Sequence, residues 1–474
     1  MIPWSVLYLV SEWVIRLIML VEVTRRRQPK SAMAWLLVIF FIPWVGLVLY
    51  IFIGRNRLPQ RRIGIHSRLL TELQTVRNRF KNHPHIVHPH LNQDQISTVT
   101  LAQRLGYMPI LGGNDMELIS GSEDLINKLI ADIDIAKYHV HLLFYIFTDD
   151  ETGRRVADAL YRAVKRGVTC RVLVDAVGSR TMIKTLGDHM KNQGIELYPA
   201  LPVNVFRQFM ARIDLRNHRK LAIIDCEIAY TGSQNITNPG YGHKDLAWRD
   251  LTVRLTGPVV LELQAVFISD WYYETDEILK GKDIFPKPKI TGSIPVQTLP
   301  SGPNYPMENY QRMVVAALHS ARQKVTITTP YFVPDEAFLQ AIQVAILRGV
   351  KVELIVPQKS DQKVVGAATC SYYDDMLDFG ANLYLFTDGL VHAKTMTIDN
   401  DISFIGTSNI DMRSFSLNFE INMVLYGLDV TEKIRIEQNK FKDKSVKLTN
   451  EVWRNRSLLR RVFQAIAKLL SPLL

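Results

Sequence analysis

Cysteine is scarce in this chain of 474 residues, which contains only Cys170, Cys226 and Cys370. Their wide spacing matches no zinc-binding pattern, and an odd, sparse set of cysteines is not a disulfide framework. We therefore expect three reduced thiols with structural roles, which is compatible with exposure of the chain to the cytosol.

Metal-ligand clusters are also lacking. The histidine-rich segment HPHIVHPH at 83–90 has no carboxylate or cysteine beside it, and its two prolines prevent a regular helix. We interpret this segment as an exposed linker rather than a metal site. No cluster of aspartate and histidine with metal-ligand spacing occurs elsewhere, so the sequence predicts neither a metal nor another cofactor.

Positive charge is in excess, with a formal net charge of +11, and this favours an anionic partner. Nucleic acid, an anionic bilayer and a phosphorylated substrate all satisfy that condition. With 47% hydrophobic residues and no low-complexity stretch, the chain can also bury sizeable cores, and its length suits two similar domains.

The N-terminal 54 residues contain two hydrophobic segments. Residues 32–53 carry no charge and are long enough to cross a hydrocarbon core of about 30 Å, although Pro43 and Gly46 interrupt them. Residues 2–23 hold three charged residues, of which Glu12 and Arg16 are spaced to pair on a helix. This first segment either spans the membrane or lies at its interface. It lacks the basic start and the cleavage site of a signal peptide.

Each hydrophobic segment is followed by a basic cluster, so the positive-inside rule does not choose an orientation. The clusters are Arg25, Arg26, Arg27 and Lys30, and Arg55, Arg57, Arg61 and Arg62.

An alternation of helical and strand patterns follows a basic connector at 55–116 and occurs twice. The predicted helices are 122–137, 153–166 and 180–192, then 308–322, 335–348 and 361–379. The predicted strands are 139–147, 169–175 and 194–201, then 324–334, 350–357 and 381–386. This pattern predicts an α/β fold of two homologous domains, 117–283 and 298–445, with mainly parallel sheets covered by helices.

An eighteen-residue pattern occurs once in each half, as HRKLAIIDCEIAYTGSQN from His218 and as HAKTMTIDNDISFIGTSN from His392. The matched pairs are His218/His392, Lys220/Lys394, Asp225/Asp399, Gly232/Gly406, Ser233/Thr407 and Asn235/Asn409. A match at six positions in one register indicates a duplicated unit rather than coincidence. The alternation of His and Lys fits a strand, on which both side chains lie on one face.

The paired HxKx4D motifs, each with a Gly-Ser/Thr-x-Asn tail, resemble those of the phospholipase D superfamily across residues 117–445. The resemblance implies two domains about a pseudo-twofold axis, with both motifs in one cleft. One histidine would attack phosphorus and the other would protonate the leaving oxygen, through a covalent phosphohistidine. The superfamily pattern favours His218 as nucleophile and His392 as acid.

The same resemblance implies roles for the other motif residues. Lys220 and Lys394 would hold the phosphate oxygens, together with the Gly-Ser/Thr-x-Asn residues Ser233, Asn235, Thr407 and Asn409. Asp225 and Asp399 belong to the catalytic signature, and we expect them to hold the motif turns rather than to carry protons. Asp250 and Glu420 match the carboxylates that orient the histidines.

Within the superfamily, the chain resembles bacterial cardiolipin synthases in SAMAWLLVIFFIPWVGLVLYIFIG, RNHRK, TTPYFVP, LNFE and the terminal SPLL. This implies the joining of two phosphatidylglycerols into cardiolipin, with release of glycerol, by a multi-pass protein of the bacterial inner membrane with cytoplasmic catalytic domains. A hydrolytic phospholipase D and a membrane-tethered nuclease are the alternatives. No aromatic and basic track for stacking bases is evident, so we expect no nucleic-acid partner.

Two further basic features have open interpretations. Arg207, Arg212, Arg216 and Arg219 either attract anionic headgroups or form a solvated loop. The C-terminal segment 450–474 predicts a basic amphipathic helix, which either packs on the second domain or lies on an anionic lipid surface.

Overall fold

The computed structural model describes residues 3–27, 29–54, 84–202, 214–242, 246–305 and 307–469. The chain divides into an N-terminal unit, residues 1–68 with 203–215, and a main unit, residues 69–202 with 216–474. Both motifs belong to the main unit.

The described part of the N-terminal unit contains one helix of 23 residues and three shorter ones, built around a small apolar core. They are α1 (Trp4–Arg26), α2 (Pro29–Phe41), α3 (Pro43–Leu49) and a π-helix (Tyr50–Gly54). The uncharged segment 32–53 is therefore divided, because Pro43 lacks an N–H and pushes Ile42 out of helical geometry. A Cβ on Gly46 would lie 2.7 Å from Cα of Ile39, so glycine allows α3 to approach α2 closely.

Charged residues of α1 pair along the helix, as the spacing predicts: Arg16 lies 3.3 Å from Glu12. None of the helices in the described part of the chain combines the length and apolar character needed to span a bilayer. The prediction of transmembrane segments therefore stays a prediction.

A single sheet of sixteen strands dominates the described part of the main unit. Its first half comprises β1 (Leu111–Ile119), β2 (His139–Phe144), β3 (Thr169–Asp175), β4 (Glu196–Ala200), β5 (Arg216–Asn217), β6 (Lys220–Ile224), β7 (Ile228–Gly232) and β9 (Thr252–Thr256). Its second half comprises β10 (Ile294–Ser301), β11 (Lys324–Thr328), β13 (Lys351–Pro357), β14 (Asn382–Phe386), β16 (Thr395–Ile398), β17 (Ile402–Gly406), β19 (Asn418–Tyr426) and β20 (Ser445–Leu448). Short strands β8 (Trp248–Arg249) and β15 (Leu390–Val391) pair with each other, as do β12 (Phe332–Val333) and β18 (Ile410–Asp411).

The strand order is equivalent in the two halves. From one edge it runs β4-β3-β2-β6-β7-β9-β1, and from the other, after β20, it runs β14-β13-β11-β16-β17-β19-β10. Strands β1 and β10 pair antiparallel and join the halves. The prediction of mainly parallel sheets is wrong. Strands β2, β3 and β4 are parallel to one another, as are β11, β13 and β14, but most other pairs are antiparallel, including β20 with β14 at the edge. The helical crossovers that predict parallel pairing occur only in the first part of each half, and hairpins follow.

Helices of the main unit include the six predicted for the two α/β halves, close to their predicted positions, and others that were not predicted, such as those at 93–106, 260–275 and 428–443. They are α4 (Gln93–Gly106), α5 (Ser122–Asp134), α6 (Glu151–Lys165), α7 (Arg180–Thr185), α8 (Gly187–Asn192), α9 (Val260–Thr275), α10 (Asn309–Ser320), α11 (Glu336–Leu347), α12 (Lys363–Ser371), α13 (Tyr373–Phe379), α14 (Met412–Ser416), α15 (Leu428–Asp443), α16 (Asn450–Arg454) and α17 (Leu458–Leu469). Equivalent helices α6 and α11 each begin after an aspartate, Asp150 or Asp335, whose side chain accepts a backbone N–H of the first turn.

Part of the predicted connector belongs to the folded main unit. Helix α4 starts at a capping box formed by Asn92 and Gln95, and its Ala102 lies in the core of the second half. Residues 84–90 are not simply an exposed linker either, because Val87 donates its N–H to the carbonyl of Ile110, 3.0 Å away. His83 and the rest of the connector, 55–82, lie outside the described residues.

Candidate active site

Each motif histidine lies just before a strand and is held by the other half of the sheet. His218 connects β5 to β6, and its N–H donates to the carbonyl of Phe419 in β19. His392 connects β15 to β16, and its N–H donates to the carbonyl of Arg249 in β8. The expectation that HxK lies within a strand is therefore wrong, because the pairing partner of the histidine segment comes from the opposite half.

The orienting carboxylates act across the two halves. Nδ1 of His218 lies 3.0 Å from both carboxylate oxygens of Glu420, and Nδ1 of His392 lies 2.6 Å from Oδ1 of Asp250. Each carboxylate follows one motif in sequence and contacts the histidine of the other. This crossed pairing brings both histidines into one site.

Burial and the carboxylates decide the protonation of the site. Burial lowers the pKa of His218 and of His392 to about 4, although the neighbouring carboxylates oppose this. Burial opposes ionisation of Asp250 and Glu420, but the contacts with histidine, lysine and hydroxyl groups together outweigh it and hold the pKa of each carboxyl below its ordinary value. An ionised carboxylate only accepts, so each Nδ1 carries the proton and each Nε2 presents a lone pair.

The hydroxyls of the motif tails support the carboxylates instead of the substrate. Ser233 donates to Asp250 over 2.6 Å, and Thr407 donates to Glu420 over 2.5 Å. This corrects the prediction that Ser233 and Thr407 bind phosphate. Each hydroxyl has one proton, and that proton is donated to a carboxylate and not to a phosphate oxygen. Ser414 also donates to Glu420.

Both motif lysines are buried at the site and contact their own histidine residue. Nζ of Lys220 donates to the carbonyl of His218 over 2.7 Å, and Nζ of Lys394 donates to the carbonyl of His392 over 2.6 Å. Burial lowers the pKa of Lys220 to about 7 and of Lys394 to about 8, with the nearby carboxylates acting in the opposite direction. An arriving phosphate anion stabilises their charged forms.

The two motif asparagines are equivalent in sequence and differ in contacts. Oδ1 of Asn235 accepts the N–H of Ile146 over 3.1 Å, so its amide nitrogen is directed elsewhere. Nδ2 of Asn409 donates to Asp411 over 2.9 Å, while its Oδ1 is buried without a hydrogen-bond partner among the described residues.

Asp225 and Asp399 lie away from the histidines and hold the turns after the motif strands. Asp225 accepts backbone N–H groups of 137, 138 and 139, and Asp399 accepts those of 322, 323 and 324, all within 2.7–2.9 Å. Both adopt positive φ, 51° and 48°, which aspartate tolerates better than most residues. This geometry is that of structural residues.

Two aromatic side chains at the site were not predicted. The ring of Trp248 stacks on His392 at 4.4 Å, and the ring of Tyr145 lies 4.8 Å from His218. Tyr145 also lies beneath Nζ of Lys220, at 5.5 Å. Trp248 lies two residues before Asp250 in the WRD motif, so its sequence position could have indicated a place at the site. Tyr145 lies within the apolar run 139–147, and no sequence signal distinguished it.

Two of the four arginines before the first motif, Arg216 and Arg219, lie in the described part of the chain, and both contact aspartates. Arg219 is buried and donates to Asp270 over 2.6 Å, and its Nε donates to the carbonyl of Glu420. Arg216 lies 3.9 Å from the buried Asp175. Arg207 and Arg212 lie outside the described residues.

The cysteines are free thiols, as predicted, and Cys170 and Cys226 are buried. Burial raises the pKa of Cys170 to about 12, so this thiol is inert at neutral pH. Among the described residues, no group of three or more His, Cys, Asp or Glu is arranged to bind a metal ion.

Comparison with known proteins places this site in a family. The family model for "cardiolipin synthase, PLD-like domain" matches residues 129–271 and 314–442, and a phospholipase D-nuclease N-terminal model matches residues 14–55. Cardiolipin synthase A of Yersinia pseudotuberculosis is 36% identical over 473 residues, covering 95% of this chain and 94% of the relative. Cardiolipin synthase A of Yersinia pestis is also 36% identical with the same coverage.

The fold is similar to that of a solved protein of distant sequence. The phosphatidylserine synthase of Haemophilus influenzae superposes with a TM-score of 0.60 and 16% identity, covering 80% of this chain and all of that chain. With two matched domains and relatives that align along nearly its whole length, the chain belongs to the cardiolipin synthase family of the phospholipase D superfamily.

Proposed function

We propose that the protein is a cardiolipin synthase that transfers a phosphatidyl group from one phosphatidylglycerol to another and releases glycerol. The observation that carries this proposal is the crossed pair of histidine–carboxylate contacts, with two buried lysines between them. Such a site supplies a nucleophile, an acid and cationic phosphate ligands without further groups. The relatives named cardiolipin synthase A support the choice of phospholipid.

In the first step, Nε2 of His218 attacks the phosphorus of one phosphatidylglycerol. The bond from phosphorus to the terminal glycerol oxygen breaks, and protonated His392 gives its Nε2 proton to that oxygen, so glycerol leaves. The anionic phosphate opposes the effect of burial and favours the protonated form of His392 before transfer. The product is phosphatidyl-His218.

In the second step, neutral His392 accepts the proton of the terminal hydroxyl of a second phosphatidylglycerol. The resulting oxygen attacks phosphorus, and the phosphorus–nitrogen bond breaks to regenerate His218. Cardiolipin leaves, and His392 is protonated for the next cycle. Dividing the exchange into two displacements allows one acid–base residue to serve both.

Two observations support His218 as the nucleophile and Lys220 and Lys394 as phosphate ligands. The His218 side chain is 13% exposed, against 6% for His392, so it is more open to an incoming headgroup. Both lysines affect the pKa of both histidines, which indicates that the four groups share one site. We assign the amide nitrogen of Asn235 to phosphate as well, because its oxygen is already bound to backbone.

A direct assay tests the activity. The full chain in detergent is incubated with phosphatidylglycerol alone, and we expect cardiolipin and glycerol in equal amounts. Phosphatidic acid as the only lipid product would instead establish hydrolysis. Absence of lipid turnover together with cleavage of DNA would refute the proposal in favour of a nuclease.

Trapping experiments test the division of roles. With phosphatidylglycerol labelled in the phosphate, His392→Asn should accumulate label on the protein, whereas His218→Asn should not. The matched control is His319→Asn, which changes an exposed histidine of the second half and should behave like the unmodified chain. Label recovered on His392 in the His218→Asn protein would reverse the assignment.

We also propose that the N-terminal unit anchors the chain in the bacterial inner membrane as a multi-pass region, with the main unit in the cytoplasm. Large apolar side chains on its helices are exposed, among them Trp4 at 88%, Phe41 at 79% and Met33 at 63%. Apolar surface of this extent is unfavourable in water and suits lipid. A cysteine at exposed Leu347 should react with an impermeant maleimide in inverted membrane vesicles and not in intact spheroplasts; the reverse result would refute a cytoplasmic main unit.

A further inference from the structure

Helix α17 is amphipathic, and its apolar face points away from the protein. The outward side chains are Leu458, Leu459, Val462, Phe463, Ile466 and Leu469, which are 48–83% exposed. Gln464 and Ala467, on the opposite side, are 3% and 2% exposed. This is the inverse of a surface helix in a soluble protein, where the apolar face is buried.

Polar contacts fix this orientation. Lys468 forms an ion pair with Asp375 of α13 at 2.8 Å, and its Nζ lies 4.7 Å from the ring centre of Tyr372. Arg456, just before the helix, pairs with Asp374 and donates to the side chain of Gln464 over 2.9 Å.

The preceding short helix is fixed in the same way. Arg454 of α16 pairs with Asp378 of α13 at 2.9 Å, and the ring of Trp453 is buried beneath the guanidinium of Arg456. Turning α17 to bury its apolar face would break the contacts of Lys468 and Gln464. The helix is therefore held with a continuous ridge of leucine, isoleucine, valine and phenylalanine facing outward.

We propose that this ridge docks the main unit on an anionic phospholipid bilayer, with α17 lying in the plane of the interface. Apolar residues on one face with basic residues beside them are the pattern of helices that lie at a lipid surface. Exposed Arg460 and Arg461 flank the ridge and supply the positive charge beside it, whereas Arg454, Arg456 and Lys468 are paired with aspartates of α13. Negative headgroups attract such a segment while the apolar side chains enter the boundary with the acyl chains.

The choice of an anionic bilayer over a protein partner follows from this charge and from the proposed substrate. The proposed substrate, phosphatidylglycerol, is itself an anionic lipid. The choice of this particular lipid rests on the proposed function, whereas the docking of the ridge on a bilayer does not. Docking would place the second half of the main unit beside its own substrate pool. A second copy of the chain is the other possible occupant, and the experiment below distinguishes it.

Depth measurements on the full chain test the proposal. In a Cys370→Ser background, Leu459→Cys, Phe463→Cys and Ile466→Cys each receive a nitroxide; Cys170 and Cys226 are buried and should not react. In vesicles of equal parts phosphatidylglycerol and phosphatidylcholine, we expect the labels to be accessible to oxygen and shielded from a water-soluble nickel complex. The matched control is Leu347→Cys on α11, 79% exposed, which should stay accessible to nickel.

Three results would overturn the proposal. The first is equal accessibility of the nickel complex to the Leu347→Cys label and to the α17 labels, because docking should shield only the α17 labels. Spin–spin broadening that grows with the ratio of protein to lipid would assign the ridge to a second copy. Equal depth in vesicles of phosphatidylcholine alone would refute the requirement for anionic lipid.

An activity measurement keeps this proposal separate from the proposed function. We expect Phe463→Glu to lower turnover of phosphatidylglycerol in vesicles at least tenfold, and to leave turnover of short-chain phosphatidylglycerol in micelles unchanged. Leu347→Glu should leave both unchanged. Loss in vesicles and micelles alike would refute docking, whereas inactivity of the unmodified chain on both would refute the proposed function and leave the depth measurement decisive for α17.

Discussion

The crossed carboxylates determine the state of each histidine at the scale of single residues. Glu420 accepts from His218, Thr407 and Ser414, and this network leaves the imidazole one orientation and one tautomer. The lone pair on Nε2 is then directed to the site before substrate arrives, so little reorganisation is needed during the reaction.

Replacing a crossed carboxylate by its amide should therefore lower kcat while leaving KM nearly unchanged. We expect a loss of about 10²–10⁴-fold for Glu420→Gln and for Asp250→Asn, because the amide also stabilises the wrong tautomer. Steady-state kinetics in detergent measures this. Glu227→Gln, at an exposed ion pair with Lys289, is the control, and an equal loss there would point to a general effect of charge.

The buried lysines predict a pH dependence. Since the pKa of Lys220 is lowered to about 7 and that of Lys394 to about 8, both are charged below these values and lose charge as pH rises. Because protonated His392 is the acid and its pKa is lowered to about 4, kcat/KM already falls above that pH. We expect this fall to steepen from about pH 7 to 8 as the lysines lose charge, and kcat to respond only at higher pH, because bound phosphate favours the charged lysines. Arginine stays charged, so Lys220→Arg should shift this fall in kcat/KM toward about pH 8, the pKa of Lys394. A pH profile that does not move would refute the assignment of the fall to Lys220.

The turn aspartates should matter for stability rather than for chemistry. Asp399→Ala removes a carboxylate that accepts three backbone N–H groups, so we expect the free energy of unfolding to drop by about 3 kcal/mol. Denaturant unfolding measures this, and kcat per folded molecule should be unchanged. Exposed Asp443→Ala is the control, with an expected change within about 0.5 kcal/mol.

At the scale of elements, two-residue strands place the histidines. Strand β5, which precedes His218, pairs with β19, which carries Glu420. Strand β15, which precedes His392, pairs with β8, which is followed directly by Asp250. Such short pairings need support from side chains. Arg219 provides it by linking Asp270 of α9 to the backbone of Glu420.

Arg219→Ala should consequently destabilise the main unit by about 3–5 kcal/mol, because it leaves the Asp270 carboxylate buried and unpaired. Arg249→Ala removes an ion pair of which both partners are more than 40% exposed, and we expect about 1 kcal/mol or less. Thermal and denaturant unfolding of both variants measures the difference. Similar costs for the two would refute the structural role of the buried pair.

The helices and strands that the sequence did predict could be recognised because their apolar spacing is local. The helices predicted at 180–192 and 361–379 are each divided, into α7 and α8 and into α12 and α13, although their sequence pattern looked continuous. The apolar face of α17 was also visible, but its direction depends on Asp374 and Asp375, which are far away in sequence.

At the scale of the whole molecule, the site exists only when both halves are together. Each half carries one histidine and the carboxylate for the other, and β1 and β10 join them in one sheet. The duplication therefore builds one site and not two.

A chain divided between Lys287 and Pro288, in a segment without helix or strand, tests this dependence. Neither fragment alone should produce cardiolipin, and co-expression should restore activity, because strand pairing and the crossed contacts rejoin the halves. The undivided chain expressed in the same way is the control. Activity of a single fragment would show that a half-site suffices and would contradict the crossed arrangement.

The amino-acid sequence by itself determined the duplicated motif, the two histidines and lysines, the turn aspartates and the approximate positions of the helices and strands in the first part of each half. These depend on residue type and on spacing along a few turns or strands, which the sequence states directly. Only the tertiary structure decided that the carboxylates cross between halves, that Ser233 and Thr407 hold those carboxylates, that Arg219 is buried and that the apolar face of α17 points outward. Each of these is a contact between residues distant in sequence, and its energy depends on where the fold brings them together.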